Sequence, residues 1–92
     1  MNIIKYGVVG VYQEIRKTDI ILFVYSKKTS ELFRINIEIP IKKFRNLLKR
    51  IKDDEKFIKF DDRVTCRIID GYYQLYYQGS EFNFELEVLN KI

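Results

Sequence analysis

Residues 63–88, RVTCRIIDGYYQLYYQGSEFNFELEV, decide the reading of the fold. Three segments with alternating polarity (63–69, 72–78 and 81–88) are separated by Asp70-Gly71 and Gly79-Ser80, dipeptides that suit two-residue hairpin loops. With loops of that length Val64, Cys66 and Ile68 oppose Tyr77, Leu75 and Tyr73, which in turn oppose Phe82, Phe84 and Leu86. That face is apolar or aromatic throughout, so the pattern supports its own register. The other face carries Arg63, Thr65, Arg67 and Ile69 in one column, then Tyr72, Gln74, Tyr76 and Gln78, then Glu81, Asn83, Glu85 and Glu87.

Upstream lies IKKFRNLLKRIK, residues 41–52, entered through Pro40, the chain's one proline. Ile41, Phe44, Leu47, Leu48 and Ile51 fall within an arc of about 120° on a helical wheel, the width of a face laid on a core. The helix is expected to run through Lys52, with Pro40 at its first position, where the missing N–H costs nothing. Lys42, Lys43, Arg45, Lys49, Arg50 and Lys52 occupy the opposite side. Setting these six aside leaves 11 of the 17 basic residues against 13 acids, so the net charge of +4 resides in this one segment. Its cations lead and the acids Asp53, Asp54 and Glu55 follow, against the preference of the helix dipole.

Towards the N-terminus, residues 32–39 alternate, with Phe33, Ile35, Ile37 and Ile39 on one face, as a half-buried antiparallel strand does. The unbroken apolar run 20–25 reads as a strand covered on both faces or central in its sheet. Residues 3–15 form a first strand bent at Gly7 and Gly10, where glycine marks a bulge or a close backbone approach. Residues 56–60 suggest a further short strand. The expected architecture is therefore a single α+β domain over residues 1–92. It has three antiparallel strands, one amphipathic helix packed on one face of the antiparallel sheet, then three or four more antiparallel strands.

Several chemistries are excluded by composition. The sequence holds no histidine and one cysteine, which removes His-based acid–base catalysis, Ser-His and Cys-His pairs and zinc sites. Cys66 faces the apolar side of its segment and reads as a small core residue. The acids at 53–55 and at 61–62 read as solvated turn residues rather than a Mg²⁺ site, and the four glycines do not form a phosphate loop. No enzyme activity, metal or cofactor is expected. The absence of a long apolar run or leader-like segment suggests a cytoplasmic protein that does not engage a membrane.

The functional expectation is a non-enzymatic binding protein. Its first form is a nucleic-acid-binding domain, for DNA or RNA, contacting phosphates through Lys42, Lys43, Arg45, Lys49, Arg50 and Lys52. Arg63, Arg67, Tyr72 and Tyr76 on the polar sheet face are further candidates, since aromatic residues beside arginine can stack unpaired bases. The column of Glu81, Glu85 and Glu87 beside them opposes a phosphate backbone there. The alternative is an inhibitor or adaptor of the size encoded by phages and mobile elements, docking on an acidic surface of a larger protein. A solubilising face of lysines and a solvated sheet face remain the plain readings of both clusters. A homodimer through an open edge, that of residues 81–88 or of the first strand, is a further option.

Overall fold

The computed structural model describes residues 2–92. Seven strands and two short helices follow one another as β1 (Ile4–Ile15), β2 (Ile20–Ser26), β3 (Leu32–Ile37), α1 (Ile41–Arg50), β4 (Ile58–Asp61), β5 (Val64–Ile69), β6 (Tyr72–Tyr77), β7 (Ser80–Glu85) and α2 (Leu86–Asn90). The strands form one sheet in the order β3-β2-β1-β7-β6-β5-β4.

Two antiparallel meanders, β1 to β3 and β4 to β7, build this sheet, and they join where β1 lies parallel to β7. The join uses both ends of β1. Its first half registers Ile4 with Ser80 and Lys5 with Glu81, whereas its second half, from Val9 to Ile15, pairs with β2. Between them the chain bulges at Gly7, whose φ of +70° is open to glycine at no steric cost. Gly10 serves the other glycine role, close approach, because a Cβ there would fall inside the Tyr25 ring.

The sheet curls into a half-barrel, and its concave side holds the core. Val9, Leu22, Val24, Ile35 and Ile37 from one meander meet Phe60, Val64, Cys66, Leu75, Phe82 and Phe84 from the other, all buried. Helix α1 runs from the β3 edge to the β4 edge, and its apolar stripe of Phe44, Leu47 and Leu48 completes the core. The Phe44 ring meets that of Phe60 edge-on, with centroids 5.3 Å apart.

The expected α+β antiparallel fold, with one amphipathic helix packed on a sheet face, is thereby corrected. The domain is mostly β, a mixed seven-stranded half-barrel that is only 16% helical. The physical reason lies in the meanders, each of which would leave a row of unpaired backbone groups on β1 or β7. Pairing those two rows satisfies both. The homodimer edges expected from residues 81–88 or the first strand consequently lie at the centre of the sheet, and its edges are β3 and β4.

Smaller differences have local causes. The last hairpin turns at Gln78-Gly79 rather than Gly79-Ser80, because both central positions of this turn take positive φ (47° and 78°) and glycine occupies the second. Tyr73 therefore opposes Phe84 and Leu75 opposes Phe82, a slip of two that keeps each side chain on its expected face. The first hairpin, at Asp70-Gly71 with φ of 53° and 80°, has the expected register.

The segment expected to be strand 81–88 leaves the sheet after Glu85. Residues Leu86–Asn90 then coil so that Leu89 is fully buried, and the Tyr73 hydroxyl donates to Asn90 Oδ1 at 2.8 Å. Helix α1 stops at Arg50 rather than Lys52. Ile51 turns to extended backbone and remains buried, and Pro40 is the residue before the helix, its carbonyl accepting from the Phe44 N–H at 3.0 Å.

Candidate functional site

The cations expected to act together are divided among different tasks. Arg45 donates from Nε to the carbonyl of Ile92 at 2.8 Å and so holds the chain after α2 against α1. Lys43 lines a polar cleft with Glu38, Ile39, Phe60, Asp61, Asp62 and Arg63. Lys42, Lys49 and Arg50 are exposed on α1, and exposed Lys52 lies beyond its end. The expected basic helix is therefore corrected. α1 is a ten-residue connector between sheet edges, one of its cations is spent on structure, and past Lys52 the loop turns acidic with Asp53, Asp54 and Glu55.

Arg63 likewise belongs to the architecture. Its Nη2 donates to the Asn36 carbonyl at 3.0 Å and approaches Glu38 Oε1 at 3.3 Å, and Asp61 Oδ2 accepts from the Glu38 N–H at 3.0 Å. Tyr72 sits at the Asp70-Gly71 turn opposite Glu85, away from the other sheet candidates.

Arg67 and Tyr76 are brought together on the convex face, with a residue that sequence reasoning did not single out, Phe57. The Arg67 guanidinium lies over the Phe57 ring, 4.6 Å from its centroid, and the Tyr76 ring meets Phe57 edge-on at 5.4 Å. Arg67 is held by a bond from Nε to Gln74 Oε1 at 2.8 Å. The Tyr76 hydroxyl donates to Glu81 Oε1 at 2.6 Å. Burial pushes the Tyr76 phenol above its ordinary range, the Glu81 carboxylate adds to the rise, and Arg67 opposes it. Ile3, Phe57, Thr65, Arg67 and Tyr76 together line a shallow recess of about 550 Å³.

The sequence did contain a signal for Phe57. In FIKF, residues 57–60, Ile58 and Phe60 belong to the inner face, which leaves Phe57 as an aromatic on the side shared with Lys59. The expected row of glutamates also changes. Glu81 is buried with its carboxylate engaged by Tyr76, Glu85 is exposed at the far end of β7, and Glu87 belongs to α2. Of that row Glu81 alone adjoins Tyr76 on this face.

Cys66 is a fully buried core residue on the inner face of β5. Among the described residues no group of three or more Cys, Asp or Glu is arranged to hold a metal ion, and no helix is long and apolar enough to cross a membrane. Comparison of the chain with protein-family models, with curated proteins and with solved structures finds no match.

Proposed function

We propose that this chain is a non-enzymatic nucleic-acid-binding domain. One observation carries the reading. Among the described residues 14 of the 17 basic side chains reach no acid within 4.0 Å, and four of them, Lys42, Lys49, Arg50 and Lys52, stand exposed within one stretch of eleven residues. These four occupy the outward side of α1 and the position just past its end, before the acids Asp53, Asp54 and Glu55. Their mutual repulsion is relieved by an anionic partner, and the evenly charged phosphates of a nucleic acid provide one without requiring a specific sequence.

The test is binding of random-sequence DNA and RNA, single-stranded and duplex, at about 50 and 200 mM salt, where a few phosphate contacts lower affinity by roughly ten- to a thousandfold. Lys42→Glu with Lys49→Glu and Arg50→Glu is expected to abolish binding at the lower salt. A wild-type chain that binds none of the four probes at the lower salt overturns the reading.

A second reading, the inhibitor or adaptor, is favoured by a different surface. Tyr12 and Leu32 are about two-thirds exposed (65% and 66%), and the Tyr12 ring lies 5.4 Å from that of Tyr25, which pairs with Leu32, giving an apolar patch on the β1–β3 meander. Affinity capture that recovers a protein partner lost on Tyr12→Ser and Leu32→Ser, but kept by the triple glutamate variant, selects this reading.

A further inference from the structure

The recess on the convex face has two properties that no structural duty explains. Phe57 is 47% exposed and stands outside the core, yet it is a full aromatic ring at the edge of a polar sheet face. Arg67 has no acid within ion-pair distance and is fixed in place by the ring below it, by Gln74 at its Nε and by the neighbouring Tyr76 hydroxyl, so its charge is not neutralised by a carboxylate of its own. A guanidinium held in this way has already lost most of its side-chain freedom. It presents a planar fork suited to a phosphate or to the acceptor edge of a base.

Beside that fork the recess offers apolar surface from Ile3 and the Phe57 ring over a floor that includes the cross-strand pair Thr65 and Tyr76. Lys56 adjoins Phe57, is exposed and has no ion-pair partner. The nearest carboxylate in the network, Glu81, is buried and occupied by the Tyr76 hydroxyl. Flat apolar surface with free positive charge at its margin is complementary to one ligand class in both respects, a nucleotide whose base is unpaired.

We propose that the recess of Ile3, Phe57, Thr65, Arg67 and Tyr76 seats one unpaired nucleotide of a single strand, its base against the Phe57 ring and its phosphate on the Arg67 guanidinium. This rests on the nucleic-acid-binding reading and deepens it. The cations of residues 42–52 hold the backbone of any nucleic acid, and the recess selects strands whose bases are accessible. Bases within a duplex are stacked on each other and do not reach it.

The experiment is fluorescence anisotropy with labelled oligothymidylate of about 20 nucleotides and a duplex of equal length, using wild type, Phe57→Leu, Phe57→Trp and Arg67→Gln. Phe57→Leu is expected to weaken the single strand about tenfold, as loss of one stacked base does, and to leave the duplex unchanged. Phe57→Trp is expected to retain affinity, and because the sequence holds no tryptophan its indole reports alone and is quenched on binding. Arg67→Gln is expected to weaken the single strand and to reduce its salt dependence by about one phosphate contact.

Thermal melts of the same variants check folding, since the exposed Phe57 makes no core contact that Phe57→Leu would remove. Single-strand binding that Phe57→Leu leaves unchanged, or an indole that stays unquenched in the bound complex, overturns the recess and leaves the wider reading standing. A wild type that binds neither probe at low salt overturns both.

Discussion

Arg63 and Asn36 join the two edges of the sheet: Nη2 of the arginine, just beyond β4, donates to the Asn36 main-chain carbonyl of β3 at 3.0 Å. An edge carbonyl is thereby satisfied and a curled sheet is held across its open side. Removing the guanidinium by Arg63→Ala is expected to destabilise the fold by about 1 kcal/mol, a figure kept low because the side chain is partly exposed. Arg63→Lys, which keeps the charge and loses the fork, is expected to recover less than half of it. Urea unfolding of the three proteins measures this, and equal midpoints for wild type and Arg63→Ala would contradict it.

At the Gln78-Gly79 turn a glutamine is held at φ 47°, a conformation that costs an ordinary L-residue about 1 kcal/mol and that asparagine tolerates better. Gln78→Asn is expected to raise stability by about 0.5–1 kcal/mol on this account. The measured quantity is the urea midpoint at unchanged slope. A lower midpoint in Gln78→Asn would show that the side chain of Gln78 has a role beyond the turn.

Gly10 lies beneath the Tyr25 ring, so Gly10→Ala requires that ring to swing away. The expected cost in wild type is about 1 kcal/mol of overpacking. In a Tyr25→Ala background the same substitution is expected to change sign, because alanine also stiffens the unfolded chain by about 0.4–1 kcal/mol. A double-mutant cycle reads the coupling directly. Identical effects of Gly10→Ala in both backgrounds would exclude the close approach.

Burial pushes the Cys66 thiol up to about 12, and a backbone hydrogen bond at Arg67 opposes the rise. An unfolded chain releases that proton near pH 8.5. The contribution of this group to stability is therefore complete below about pH 8.5 and is lost at about 1.4 kcal/mol per pH unit as pH rises towards 12. Between pH 8 and 10 wild type is expected to lose correspondingly more stability than Cys66→Ala, as followed by urea unfolding at each pH. The native thiol is also expected to resist alkylation at pH 8 until the protein is unfolded. Parallel pH profiles for the two proteins would place Cys66 in contact with water.

Local structure was largely legible in the sequence, and its assembly was not. Alternation in residues 63–77 places Val64, Cys66, Ile68, Tyr73, Leu75 and Tyr77 on the inner face in the observed β5–β6 register, because two-residue loops and period-two patterns act over short distances. Nothing local distinguishes a strand that ends a sheet from one that meets a distant partner, so the β1–β7 pairing and the half-barrel it creates were invisible. The exit of Leu86 from the sheet was hidden for a similar reason. FELEV continues the alternation, and only the burial of Leu89 and Ile92 under α1 and the sheet selects a helical turn.

For the candidate site, Arg67 and Tyr76 could be placed on one face by counting residues. Counting along FIKF puts Phe57 on the outer side of its segment but not beside Arg67, because that neighbour depends on β4 pairing with β5 beyond a turn of irregular register. The six cations of residues 41–52 are adjacent in sequence, but the sequence carries no sign that Arg45 would be bound to the carbonyl of Ile92, 47 positions away.

The parallel contact of β1 with β7 also bears on how the molecule comes into being on a ribosome. The middle of the sheet unites the first of the seven strands with the last, so it cannot close until Glu85 has left the exit tunnel. Until then the β1–β3 meander waits with the inner surface of its core uncovered and one long ladder unclaimed. Such a nascent chain is exposed to wrong partners until β7 emerges, and a stop introduced at the Gln78-Gly79 turn would make that exposure permanent.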